Sequence, residues 1–168
     1  GQDDTTDNDT TNDYALDGTS YFFSGFFTDA DYDAYLYLTP MSLTANTEYS
    51  FSFNHRILSD ATTTVSMSFD AIVSTANDGT GSTVLGTYAN QSNLSYANNI
   101  VTFTPTADGT YYFGLHNNTP MGASATTGNA IIADDFMVYG TLNANDFTSQ
   151  TISTYPNPAN NVLNINAG

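Results

Sequence analysis

The chain has 168 residues, enough for one domain with a real core, and its charge is lopsided: 17 acidic groups face a single cationic side chain, for a formal charge of −16. With no basic footprint it has nothing to neutralise phosphate, which excludes nucleic acid, and no apolar run is long enough for direct membrane insertion. It has no Cys, so disulfides and thiolate metal sites are excluded too. Glu48 is the sole Glu, Arg56 the sole cation, and every other charge is Asp. Such a surface attracts cations, and it also stays soluble in salty water. The opening "GQDD" suits a mature secreted chain.

Residues 1–13 form an acidic Asp/Thr-rich tail with almost nothing to bury, predicted to be a spacer. Aromatic strands then begin: "SYFFSGFF" (20–27), "DAYLYLT" (33–39) and "TEYSFSFNHRI" (47–57). In the third, Tyr49, Phe51, Phe53 and His55 alternate with Ser50, Ser52 and Asn54, the period of a half-buried strand. "TTVSMSFDAIVS" (63–74) repeats this through Val65, Met67, Phe69, Ala71 and Val73. Further strands read at "TVLGTY" (83–88), "NIVTFTP" (99–105), "GTYYFGLHN" (109–117) and "NAIIADDFMVYG" (129–140), with turns at Asn77-Asp78-Gly79 and Asp108-Gly109. No apolar i, i+3, i+4 pattern lasts long enough for a helix. Eight or nine strands with short turns predict an all-β fold, an antiparallel β-sandwich of jelly-roll type over residues 14–142. Residues 143–154 read as a polar linker. Residues 155–168 begin an apolar strand at Val162, Leu163 and Ile165 that stops at once, the incomplete start of a second domain.

Asp134 and Asp135 stand side by side in an apolar strand. In a regular strand they point to opposite faces, so one faces the core and needs a partner. Calcium, which takes roughly six to eight oxygen ligands, is one candidate. Asp29, Asp31 and Asp33 supply carboxylates at alternate positions, and a structural ion shared with Asp134 and Asp135 is one expectation. Hydrogen bonds from backbone N–H and Tyr hydroxyls are the other. Two His without Cys make a poor transition-metal set, and His55 on the Phe51–Phe53 face reads as a core histidine. Arg56 either pairs with a structural Asp or forks onto a ligand's oxygens. Of 23 Phe and Tyr residues most fill the core, while Tyr35, Tyr37, Tyr88 and Tyr96 are candidates for an exposed sugar-stacking platform. There is no nucleophile elbow, phosphate loop or zinc signature, so no enzyme is expected.

"YPNPANNVLNI" resembles the start of the C-terminal sorting domain of type IX secretion cargo in Bacteroidota, with Tyr155, Pro156, Asn157 and Pro158 as its signature. "YLYLTPMSLTANTEYSFSFNHRI", "GTYYFGLHNNT" and "AIIADDFMVYG", in that order, resemble the choice-of-anchor J or cleaved-adhesin family over residues 20–140. That resemblance implies a jelly-roll sandwich, a non-catalytic surface module and, in some members, structural calcium; it also makes a structural pairing of Arg56 the more natural one. Asp4-Thr5-Thr6 and Asp9-Thr10-Thr11 resemble the O-glycosylation triplet of Bacteroidota, which points to Thr5 and Thr10, although an Asp/Thr-rich tail generates such triplets readily.

The combined expectation is a secreted, cell-surface adhesion or carbohydrate-binding module that is exported through the periplasm and outer membrane. Its partners would be a glycan or other extracellular polymer and, through the C-terminal segment, the type IX machinery. A structural subunit of a filament or surface layer, or a passenger cargo, are the alternatives.

Overall fold

A computed structural model describes residues 15–16, 20–25, 31–58, 66–121 and 130–140, and the strand backbone of 152–155 and 164–167. The alternating aromatic stretches fold as predicted into β1 (Phe22–Gly25), β2 (Ala34–Tyr37), β4 (Tyr49–Leu58), β5 (Met67–Ser74), β6 (Thr83–Gln91), β7 (Ala97–Phe103), β8 (Gly109–Asn117) and β9 (Ala130–Gly140). A short β3 (Met41–Leu43) is added after Pro40. All pairings are antiparallel. One sheet has the order β1-β9-β4-β7; the other has β2-β8-β5-β6, with β3 also on β8.

Two sheets with one apolar face each must bury those faces together, and they do so through aromatic side chains. Phe51 and Phe53 of β4 meet Phe113 of β8 and Phe69 of β5, with ring centroids 5.4 Å and 6.1 Å apart respectively. Met67, Ala71, Val73, Leu115, Ile57 and Ile131 close the same cluster. Each large side chain buried here contributes roughly 1.5–3 kcal/mol. A chain short of Leu and Ile fills its interior with rings, and the sandwich is the shape that lets rings from two sheets interlock.

The Asp134–Asp135 pair departs from the regular strand assumed for it. Ser52 pairs with Met137 but Asn54 pairs with Asp134, so Phe53 faces two residues of β9 where a regular ladder has one. Asp135 takes up the extra residue with φ 56°. The bulge resets the alternation: Ala133 and Phe136 both pack on the core, while Asp134 is half-buried and Asp135 exposed. Neither carboxylate faces the interior. The expected inward-facing charge is absent because one inserted residue turns the pair outward, and Asp is among the few residues that adopt a left-handed conformation at low cost.

The C-terminal segment carries a strand pair. β10 (Ile152–Tyr155) begins inside the stretch taken as linker and pairs with β11 (Asn164–Ala167) as an antiparallel ribbon. The short strand that lacked a successor finds its partner upstream in the chain instead.

Candidate functional site

The two outer faces carry different chemistry. On the β2-β8-β5-β6 sheet, Leu36, Leu115 and Ala71 share one cross-strand row, and Leu115 and Ala71 belong to the core. Alternation therefore sends Tyr35, His116 and Asp70, which form the neighbouring row, to the outside. The Tyr35 ring lies on the His116 imidazole, with centroids 4.1 Å apart and planes 4° from parallel. Tyr37 continues the stack at 6.0 Å from Tyr35, and Tyr112 meets Tyr37 edge-on at 6.2 Å.

The backbone makes room for these rings. At Gly114, between Tyr112 and His116, a Cβ would lie 2.0 Å from the Leu36 carbonyl oxygen, so only glycine lets β2 pair this closely with β8. The β5–β6 loop, residues 75–82, braces the rings from the side. Its Gly79 N–H donates to the Tyr37 hydroxyl at 3.2 Å, and Ser82 Oγ shares a hydrogen bond with the same oxygen at 3.1 Å. Gly79 has φ +84°, and a Cβ there would sit 3.3 Å from the Tyr35 ring. The loop holds itself through Asp78, whose Oδ1 accepts from Thr80 N–H at 3.0 Å and Thr80 Oγ1 at 2.6 Å, bonds that lower the Asp78 pKa.

Carboxylates flank the stack. Asp33 Oδ1 lies 2.7 Å from His116 Nε2. Asp70 is only 8% exposed; its Oδ2 accepts from Asn118 Nδ2 at 2.8 Å, while its buried Oδ1 has no hydrogen-bond partner among the described residues. Burial first, then the charge of Asp33 and its hydrogen bond to the phenol, raises the Tyr35 pKa, with smaller contributions from Tyr37 and Asp70. The result is a tyrosine surface, 39% exposed at Tyr35, ringed by hydrogen-bond acceptors.

The other sheet's outer face carries the bulge. Asp134 Oδ1 accepts from the Asp135 N–H and its Oδ2 from the Leu16 N–H, both at 2.8 Å. Asn54 Nδ2 donates to Asp135 Oδ2 at 3.3 Å, and Asn98 Nδ2 donates to Asn54 Oδ1 at 3.2 Å. The Arg56 guanidinium lies 5.4 Å from the centre of the Tyr96 ring. Burial raises the Tyr96 pKa, and Arg56 opposes that rise.

The predicted site residues are thus divided. Tyr35 and Tyr37 come together as a platform; Arg56 and Tyr96 sit on the opposite outer face. Tyr88 is no part of a platform: it stacks on Phe69 at 4.8 Å against the core, because its strand turns that face inward. Asp33 serves His116, and Asp31 Oδ1 accepts from the Met121 N–H at 2.8 Å. Asp33 and the Asp134–Asp135 pair belong to opposite outer faces, so these three carboxylates do not share one ion. Among the described residues no three His, Cys, Asp or Glu groups stand close enough to hold a metal, and Asp29 lies outside them. Thr5, Thr10 and Pro156 to Pro158 also lie outside the described residues, while Tyr155 ends β10.

Asp70, Tyr112, His116 and Asn118 escaped the sequence reading as site residues. The signal was present: Tyr112, Gly114 and His116 alternate along β8, and Asp70 interrupts an otherwise apolar β5. His55 is the core histidine its face predicts, 1% exposed, with a pKa lowered by burial. Its Nδ1 lies 2.7 Å from Asn99 Nδ2; an amide donor there makes Nδ1 the acceptor and puts the ring proton on Nε2.

No protein-family model matches the sequence, and no curated protein matches it. Solved structures do. One, described as "CBM4 structure and function", has a TM-score of 0.50 at 9% identity, over 72% of this chain and 84% of its own. A "Family 16 Carbohydrate Binding Module-2" has a TM-score of 0.48 at 19% identity, over 74% of this chain and 79% of its own. An "EclA C-terminal domain; sugar-binding protein" has 0.44 at 10% identity, over 83% of this chain and 89% of its own. The likeness to the first is one of fold: the chain is an all-β sandwich of two antiparallel sheets.

Proposed function

We propose that this protein is a non-catalytic carbohydrate-binding module whose ligand lies on the outer face of the β2-β8-β5-β6 sheet. The observation that carries the reading is the Tyr35 ring, 39% exposed and stacked flat on the His116 imidazole. Sugars present apolar C–H faces that stack on such a ring, while their hydroxyls seek acceptors, which Asp33 supplies beside it. The sandwich shared with a CBM4 structure fits the same role. Tyr35 and Tyr37 are the stacking groups, and Asp33, Asp70 and Asn118 form the polar rim.

The test is retention of the protein on immobilised polysaccharides, followed by the same assay on Tyr35→Ala. Binding that disappears in the variant supports the site. A wild-type protein that passes every polysaccharide unretarded overturns it.

A secreted, cell-surface location and export as type IX cargo are part of this proposal, supported by the resemblance of Tyr155-Pro156-Asn157-Pro158 to the sorting signature. So is the likeness to choice-of-anchor J modules. Structural calcium belongs to it too, bound away from the platform through Asp31 and supported by the likeness to a family in which some members carry it.

A further inference from the structure

The carbohydrate site, as read above, also carries information about the charge of its ligand. We propose that it selects amino sugars bearing a free ammonium group over neutral sugars and excludes acidic ones; this rests on the carbohydrate reading of the Tyr35 face. Apart from His116, which is cationic only when protonated, every charged side chain placed there is a carboxylate. Asp33 flanks the stack at His116, and Asp70 lies in the row Tyr35–His116–Asp70, directly across the strand from His116. The sole Arg of the chain is on the opposite outer face, and the chain as a whole carries −16.

Asp70 is the decisive residue. The residue is more than nine-tenths buried, its carboxylate has one bond from a neutral amide, and among the described residues no donor reaches Oδ1. A buried carboxylate without a counter-charge is costly, and its field is poorly screened by solvent. A cation laid over the ring supplies the missing counter-charge and gains from the π face as well. A uronate or sulfated sugar meets only repulsion. A neutral sugar gains the stacking and hydrogen bonds but not the charge.

Titration calorimetry of the whole chain at about 20 mM salt and mildly acidic pH, with three oligomers of equal length, tests this: glucosamine, N-acetylglucosamine and a uronate. The glucosamine oligomer is expected to bind about tenfold tighter than its acetylated counterpart. That preference should collapse in Asp33→Asn and Asp70→Asn; Asp33 is exposed, so its variant keeps the test informative if Asp70→Asn fails to fold. Tyr35→Ala leaves the net charge at its wild-type value and should abolish the binding. Undiminished glucosamine binding in Tyr35→Ala would mean diffuse attraction to an acidic surface and would overturn the proposal. Equal or tighter Tyr35-dependent binding of the acetylated oligomer overturns the charge selection and leaves the carbohydrate site standing. If no oligomer and no polysaccharide binds, both readings fall.

Discussion

Tyr35 and His116, 81 residues apart, lie face to face with ring centroids 4.1 Å apart, on adjacent strands and in direct register. The imidazole is held at its other side by Asp33, so the tyrosine rests on an anchored base. A ring that is already positioned loses little freedom when a ligand stacks on it, and pre-organisation of this kind favours affinity. Tyr35→Phe keeps the ring and removes only the hydroxyl. It should retain glycan binding within about threefold, whereas Tyr35→Ala should lose at least about tenfold, as central aromatic contacts do. Affinity electrophoresis in polysaccharide-containing gels reads both, and equal losses would show that the hydroxyl, not the ring, makes the contact.

Gly114 governs whether the platform forms. An added methyl would collide with the Leu36 carbonyl oxygen at 2.0 Å, a backbone atom that cannot rotate away. Gly114→Ala is expected to cost about 1–3 kcal/mol and to loosen β2. Urea denaturation should show the loss, and amide exchange should place it in Ala34–Tyr37. Unchanged exchange in that strand would contradict this account.

The bulge at Asp135 makes a prediction with a sign. Glycine adopts φ near 56° without strain, and among the described residues the substitution removes only the long bond from Asn54 at 3.3 Å. Asp135→Gly should therefore be neutral or stabilising by up to about 1 kcal/mol. Asp135→Val, β-branched in a left-handed conformation, should destabilise the fold by at least about 1 kcal/mol. A valine variant as stable as the glycine variant would mean that β9 runs without the bulge.

His55 predicts a pH dependence. Burial lowers its folded-state pKa below the ordinary 6.5. Above that value the ring is neutral in both states, and its contribution to stability is complete. As pH falls below 6.5 the unfolded chain takes up a proton that the folded chain refuses, so stability falls until the lowered folded value is reached. His55→Gln should show a shallower fall of unfolding free energy between pH 7 and about 5 than the parent. Parallel curves for the two proteins would remove His55 from the account.

The carboxylates proposed for calcium fall into two groups. Both oxygens of Asp134 accept backbone N–H bonds, and Asn54 bonds Asp135, so this pair is satisfied without an ion. Calorimetry in calcium and then in excess EDTA should give the same melting-temperature difference for Asp134→Asn and the parent. If calcium binds through the early loop, Asp31→Asn should erase that difference. Loss of the calcium response in Asp134→Asn would return the bulge to the ion site.

Much of this architecture was legible in the chain because a strand's period is local. Tyr49, Phe51, Phe53 and His55 must share a face whatever surrounds them, and two such faces in one chain must meet. The same alternation marked Tyr112 and His116 as companions and Asp70 as an outlier among apolar neighbours. Local periodicity carries no information about which strands lie side by side. Register alone put Tyr35 on His116 and Asp70 behind it, and it turned Tyr88 inward against Phe69. One inserted residue, Asp135, reversed the parity that had sent a carboxylate into the core. Composition and alternation determined an acidic, aromatic-cored sandwich. Long-range pairing decided which of its tyrosines faces outward over an uncompensated carboxylate, because that arrangement depends on contacts between residues far apart in sequence.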